Sequence, residues 1–156
     1  MKSRQHTIIK DAGAIFQQAV VCFQKGKHGK AEALVMKLLK ASPEHSDANH
    51  LLGLIVSQRG EFDLAAQLID RAIRNNPGQP MLYYNLGLVK QTAGESEQAL
   101  HHYEQALRID PNLVQAHNNR GNALKDLGKP EDAMASYERA IGISPGFAEA
   151  HNNRGS

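Results

Sequence analysis

The 156-residue chain is long enough to bury one ordinary core, and its 41% hydrophobic and 22% charged content is that of a soluble protein. The net charge is +2, with eight cations against three carboxylates over 1–45 and ten against thirteen over 46–156. That is a mild polarity, not the dense basic stripe of a nucleic-acid binder, and the single cysteine, Cys22, excludes an internal disulfide and a cysteine metal site.

The chain opens on MKSRQHTIIKD. The charge suits a signal peptide, but Lys10, Asp11, Gln17 and Gln18 break the apolar run that should follow, so no secretory signal is expected. No stretch approaches the roughly 20 apolar residues of a membrane span. The expected location is the cytoplasm, with no membrane and no nucleic-acid partner, and 1–11 reads as a leader that extends the first helix.

From residue 12 onward the sequence repeats itself. Prolines stand at Pro43, Pro77, Pro111 and Pro145, glycines at Gly26, Gly60, Gly94 and Gly128, and alanines at Ala31, Ala65, Ala99 and Ala133, each series spaced by 34 residues. A fourth series runs Ala19, Gly53, Gly87, Gly121, Gly155, and HNNRG occurs at both 117–121 and 151–155. The chain therefore divides into 12–45, 46–79, 80–113, 114–147 and a stub, 148–156, without insertions.

Each unit reads as two helices. In 80–113 the first helix starts near Pro80, which suits a first turn, and stops near Gly94, which can take a left-handed turn. Ser96 starts the second, with Ala99, Tyr103, Ala106 and Leu107 on one face, and Asp110-Pro111 breaks it. A mid-helix glycine costs roughly 1 kcal/mol against alanine. Gly53, Gly87 and Gly121 therefore imply close approach of a partner helix, with Tyr103 and Tyr137 filling the gaps between pairs.

Small residues at places 8, 20 and 27, an aromatic at place 24 and proline at place 32 resemble the tetratricopeptide repeat: Gly87, Ala99, Ala106, Tyr103 and Pro111 in one unit, Gly121, Ala133, Ala140, Tyr137 and Pro145 in the next. Unit 12–45 departs most, with Ala19, Val35 and Leu38 at three of these places. The resemblance covers about nine tenths of the chain. It implies an all-α fold, a right-handed superhelix of stacked antiparallel helix pairs around a concave groove. HSDANHLLGLIVSQRGEFDLAAQLIDRAI and HNNRGNALKDLGKPEDAMASYERAI further resemble arrays that precede the catalytic domain in bacterial O-GlcNAc-transferase-like and Spindly-like proteins. Only the array is present here, so no enzyme is expected.

In the family, the stripe beside the inward-facing Leu82, Leu86 and Val89 lines the groove. Here that stripe is Met81, Tyr84, Asn85, Leu88 and Thr92, then Gln115, Asn118, Asn119, Asn122 and Asp126, and upstream Asp47, His50, Leu51, Leu54 and Gln58. Asn85, Asn119 and Asn153 share one place, and a row of amides can pair with the N–H and C=O of an extended peptide. The spacing is similar to the asparagine ladder of O-GlcNAc transferase arrays. The plainer reading is solvated asparagines inherited by duplication. Phe16 and Val20 could line apolar pockets or pack under the leader. A carboxylate clamp for chaperone tails lacks its residues, because Tyr84, Leu88, Glu149 and Asn153 stand where its lysines, asparagine and arginine are needed.

Arg120 and Arg154 replace the leucine seen at Leu52 and Leu86, and read as salt-bridging to a neighbouring repeat or as holding an anion. None of the eight histidines fits a helical zinc pair, and His117 and His151 read as packing or surface residues. No cofactor or metal is expected. The expectation is a non-catalytic interaction module or scaffold whose groove residues are Asn85, Asn119, Asn153, Asn118, Asn122, Tyr84, Leu88, His50 and Leu54. The alternatives are a substrate-recruiting fragment of a glycosyltransferase-like enzyme and a structural protein that associates with its own copies through the uncapped 148–156 end.

Overall fold

The computed structural model describes residues 11–155, so the expected helical leader lies outside the described residues. Among them, nine helices run in order: α1 (Ala12–Gln24), α2 (His28–Ala41), α3 (Ser46–Ser57), α4 (Phe62–Asn75), α5 (Pro80–Thr92), α6 (Ser96–Ile109), α7 (Val114–Asp126), α8 (Pro130–Ile143) and α9 (Ala148–Arg154). No strand occurs among the described residues, and no helix there is long and apolar enough to cross a membrane.

The turn inside each pair is one device used four times. Gly26, Gly60, Gly94 and Gly128 all have φ between 70° and 83°, a left-handed conformation that costs other residues roughly 1–2 kcal/mol. At Gly94 the glycine N–H bonds the Gln91 carbonyl (3.0 Å) and the Glu95 N–H reaches back to the Lys90 carbonyl (2.9 Å). The same two bonds recur at Gly128 and Lys129. These satisfy the last carbonyls of the first helix and turn the chain into the second. The second helices are capped at their C-termini by Ser42, Asn76, Asp110 and Ser144, each followed by the proline that cannot continue them.

The described residues form two compact units, one ending at Pro77 and one beginning at Gly78. In the first, α1 packs on α2 and α3 packs on α4, with contacts also between α2 and α3 and between α1 and α3. Its core holds Ala19, Ala31, Val35, Leu38, Leu51 and Ile55, and Phe16 and Val20 are half-buried against that cluster, so both serve core packing. In the second unit α5 pairs with α6 and α7 with α8, α6 contacts α7, and α9 packs on α8. The first helices also touch in sequence, α5 with α7 and α7 with α9. Leu82, Leu86 and Val89 are buried, as their spacing predicts.

The mid-helix glycines face neighbouring side chains at close range. A Cβ on Gly53 would meet Ile69 Cγ1 at 2.8 Å, and one on Gly87 would meet Tyr103 Cε1 at 2.6 Å. The tyrosines thus occupy space inside their own helix pair, where the glycine leaves room, and do not only fill gaps between pairs. Tyr103 does both, since its ring also clusters with Ala123 of α7.

Candidate functional site

In the second unit, the contacts of α5 with α7 and of α7 with α9 set the groove-stripe residues beside one another. Seven of the expected site residues lie there: Tyr84, Asn85 and Leu88 on α5, Asn118, Asn119 and Asn122 on α7, and Asn153 on α9. His50 and Leu54 lie on α3 of the first unit, both half-buried. Burial holds the His50 imidazole below its usual pKa, and Asp47 partly offsets this.

The asparagines are joined into a network. Asn119 Nδ2 donates to Tyr84 Oη (3.1 Å), and Asn153 Nδ2 donates to Asn118 Oδ1 (2.9 Å). In each case a ladder residue bonds the neighbouring place of the preceding repeat. Asn118 Nδ2 donates to Asn119 Oδ1 (3.2 Å), and Asn122 Nδ2 lies 3.5 Å from the same oxygen. Tyr137 Oη, arriving from α8, donates to Asn122 Oδ1 (2.9 Å). The chain of bonds therefore runs from Tyr137 through Asn122 and Asn119 to Tyr84, with Asn118 and Asn153 branching from it. Asn118 is 1% exposed, so it holds the row together from beneath; Asn85, Asn119 and Asn153 are half-buried.

A carboxamide has two N–H donors and two acceptor lone pairs. The bond to Tyr84 uses one donor of Asn119, and the bond to Asn118 uses one donor of Asn153. Because Asn119 Oδ1 already accepts from Asn118 and Asn122, one N–H of Asn119 and, on Asn153, one N–H and the carbonyl oxygen are left for further bonds. Burial raises the Tyr84 pKa, with Glu149 adding to it, so the phenol stays neutral. At the far edge Asp126 Oδ2 lies 3.4 Å from both Gln91 Nε2 and Ser96 Oγ. The row is built of neutral amides and phenols and is flanked by the carboxylates Glu149 and Asp126.

Two other elements of HNNRG also have definite positions. His117 Nε2 donates to the Pro111 carbonyl (2.9 Å), and His151 Nε2 donates to the Pro145 carbonyl (2.8 Å), each closing the turn out of the preceding repeat. Asn49 serves the equivalent bond to Pro43 (2.8 Å). Periodicity aligns these positions, but a backbone acceptor leaves no mark in composition. Arg120 pairs with Glu104 of the preceding repeat (Nε–Oε1 3.6 Å), the salt-bridge reading of that residue, whereas Arg154 is exposed.

His117 is expected to make the second unit acid-sensitive. Burial lowers its pKa below 6.5, the Pro111 bond partly opposes this, and Arg139 and Arg120 add to the lowering, with Asp110 opposing. Its Nδ1 is buried without a partner, so a second proton there finds no acceptor. The unfolded chain takes up that proton first. The stability contribution is therefore complete above about pH 6.5 and is lost as pH falls below it. His117→Asn, which can keep the proline bond as Asn49 does, is expected to unfold at nearly the same urea concentration as the native chain near neutral pH. It should lose less stability by about pH 5. Equal acid losses in both chains would assign the sensitivity elsewhere.

Models described as tetratricopeptide repeat match residues 11–80 and 114–147, and one described as TPR repeat matches 92–128. No curated protein matches the sequence. Among solved structures, MamA is 22% identical with TM-score 0.81, over 95% of this chain and 86% of that one. YrrB, titled a TPR protein with an unusual peptide-binding site, is 21% identical with TM-score 0.79, over 99% of this chain and 79% of that one. A mutant of the Thermobaculum terrenum O-GlcNAc transferase is 29% identical with TM-score 0.80; the match covers 91% of this chain but only 27% of the transferase. With repeat models spread over both units and an all-α fold shared with these structures, the chain belongs to the tetratricopeptide repeat family.

Proposed function

We propose that this protein-interaction module binds an extended peptide along the α5–α7–α9 face of its second unit, through the amides of Asn85, Asn119 and Asn153, without catalysing a reaction. The observation that carries the reading is the hydrogen-bonded amide network: Asn119 and Asn153 are oriented by bonds to the preceding repeat before any ligand arrives. Pre-oriented groups lose less side-chain freedom on binding, and that saving appears as affinity. Amides directed at a peptide backbone read its N–H and C=O, so the ligand is selected for extended conformation more than for sequence. The nearby Glu149 and Asp126 disfavour an anionic chain end. Tyr84 and Leu88 add an apolar seat beside the row, and His50 and Leu54 are proposed as peptide contacts on the first unit.

The test is a pull-down with mass spectrometry, comparing the native chain with Asn85→Ala/Asn119→Ala/Asn153→Ala. Because Asn119 and Asn153 bond neighbouring repeats, the variant is first required to keep its helicity and to remain folded at the assay temperature. Partners retained by the native chain and depleted roughly tenfold or more by the variant support the reading. Identical retention makes the amides a structural stitch alone.

A second reading is favoured by one observation, the 29% identity to a glycosyltransferase over nearly the whole of this chain. On that reading the repeats recruit substrate for a catalytic domain. A transferase coding region continuous with this one would support it, and a reading frame without one would remove it.

A further inference from the structure

The first unit carries a cleft of about 620 Å³, open to solvent, walled by α2, α3 and α4. Its apolar surface comes from Ala33, Met36, Leu39, Leu52 and Leu68, and Met36 is 57% exposed, the most exposed of the large hydrophobic side chains among the described residues. Around it stand Lys37, Lys40 and Arg71, all exposed, and among the described residues none of the three makes an ion pair. Arg59, on the same unit, is by contrast held by Glu32 (2.7 Å) and Glu61 (2.6 Å). Asn49 also lines the cleft: it is fully buried, its Nδ2 is engaged by the Pro43 and His45 carbonyls, and its Oδ1 has no partner.

We propose that this cleft is a second docking surface, for a partner peptide segment that combines apolar side chains with carboxylates. Charge selects the occupant. An apolar floor with three unpaired cations favours a segment carrying both kinds of group, since each carboxylate meets a cation while the apolar chains leave water. Three separate cations around one apolar floor match a segment carrying several carboxylates, which a fatty acid, with one, does not supply. The protein's own first residues are the wrong sign, since Lys2, Arg4 and Lys10 would face the rim cations. This rests on the reading of the chain as a protein-interaction module but not on the amide row, which belongs to the second unit.

The test uses the full chain and a fluorescein-labelled, amidated peptide of alternating leucine and glutamate. The control peptide has glutamine at every glutamate, and the protein variant is Lys37→Glu/Lys40→Glu, which changes exposed side chains only. The glutamate peptide is expected to bind, to weaken roughly tenfold with glutamine, and to weaken similarly on the variant. The variant in turn should gain binding to a leucine–lysine peptide. The loss caused by Lys37→Glu/Lys40→Glu should persist in a chain that also carries Asn85→Ala/Asn119→Ala/Asn153→Ala, which separates this surface from the amide row. No binding, equal binding of the glutamate and glutamine peptides, or displacement of the peptide by laurate at lower concentration would each overturn the proposal. So would concentration-dependent dimerisation of the native chain that the variant abolishes, since the occupant would then be a second copy.

Discussion

Tyr103→Ala is expected to destabilise the protein by about 3–5 kcal/mol, the range for deleting a large aromatic from a core. The side chain is fully buried. One edge of the ring fills the space above Gly87, its centroid lies 6.0 Å from that of Tyr84, and it clusters with Ala99 and Ala123. The α5–α6 pair and its contact with α7 lose their filler together. The hydroxyl contributes separately, donating to Gln91 Oε1 at 2.7 Å, so Tyr103→Phe should cost only about 1 kcal/mol. Urea unfolding measures both. A loss near 1 kcal/mol for the alanine variant would mean that the pair closes over the cavity, contrary to the packing described.

Gly121→Ala is expected to destabilise by about 1–3 kcal/mol, although alanine is the better helix former. The added Cβ would lie 2.7 Å from Tyr137 Cδ1 and clash with Cε1 as well. The ring cannot easily retreat, because Tyr137 is 2% exposed and its hydroxyl is bonded to Asn122. Gly142→Ala supplies the opposite sign. That glycine is helical, exposed, and has nothing near its missing Cβ, so the same change should stabilise by about 0.5–1 kcal/mol. A double-mutant cycle with Tyr137→Leu should show coupling above about 0.5 kcal/mol for Gly121→Ala and additivity for Gly142→Ala. Equal effects at the two glycines would reduce the 34-residue spacing of Gly53, Gly87 and Gly121 to backbone propensity.

The parts of this architecture that repeat every 34 residues could be read from the sequence, because repetition itself reports them. The left-handed glycines, the prolines after the second helices and the small residues under Ile69, Tyr103 and Tyr137 each stand at one place in unit after unit. The amide network is a different case. Its bonds join Asn119 to Tyr84 and Asn153 to Asn118, a separation of 35 residues, one step off the period, because adjacent helices meet with a stagger. The acceptor is a phenol in one repeat and an amide in the next, so no repeated residue type marks the place. The histidine bonds escape for another reason: their acceptors are backbone carbonyls. The cleft depends on what three helices leave uncovered, and a helical stripe of apolar residues looks the same whether its last side chain is buried, as Leu38 is, or exposed, as Met36 is.

Site-specific photo-crosslinking tests ligand binding at the row of amides on α5, α7 and α9. A crosslinking residue at Met81 or Gln115, both exposed on the stripe beside the amides, is compared with one at Ala135, exposed on α8. Partners found by pull-down are expected to crosslink from positions 81 and 115 and to fail to do so from 135. The same partners captured from 135, with none from 81 or 115, would contradict it and move the interaction to the second helices.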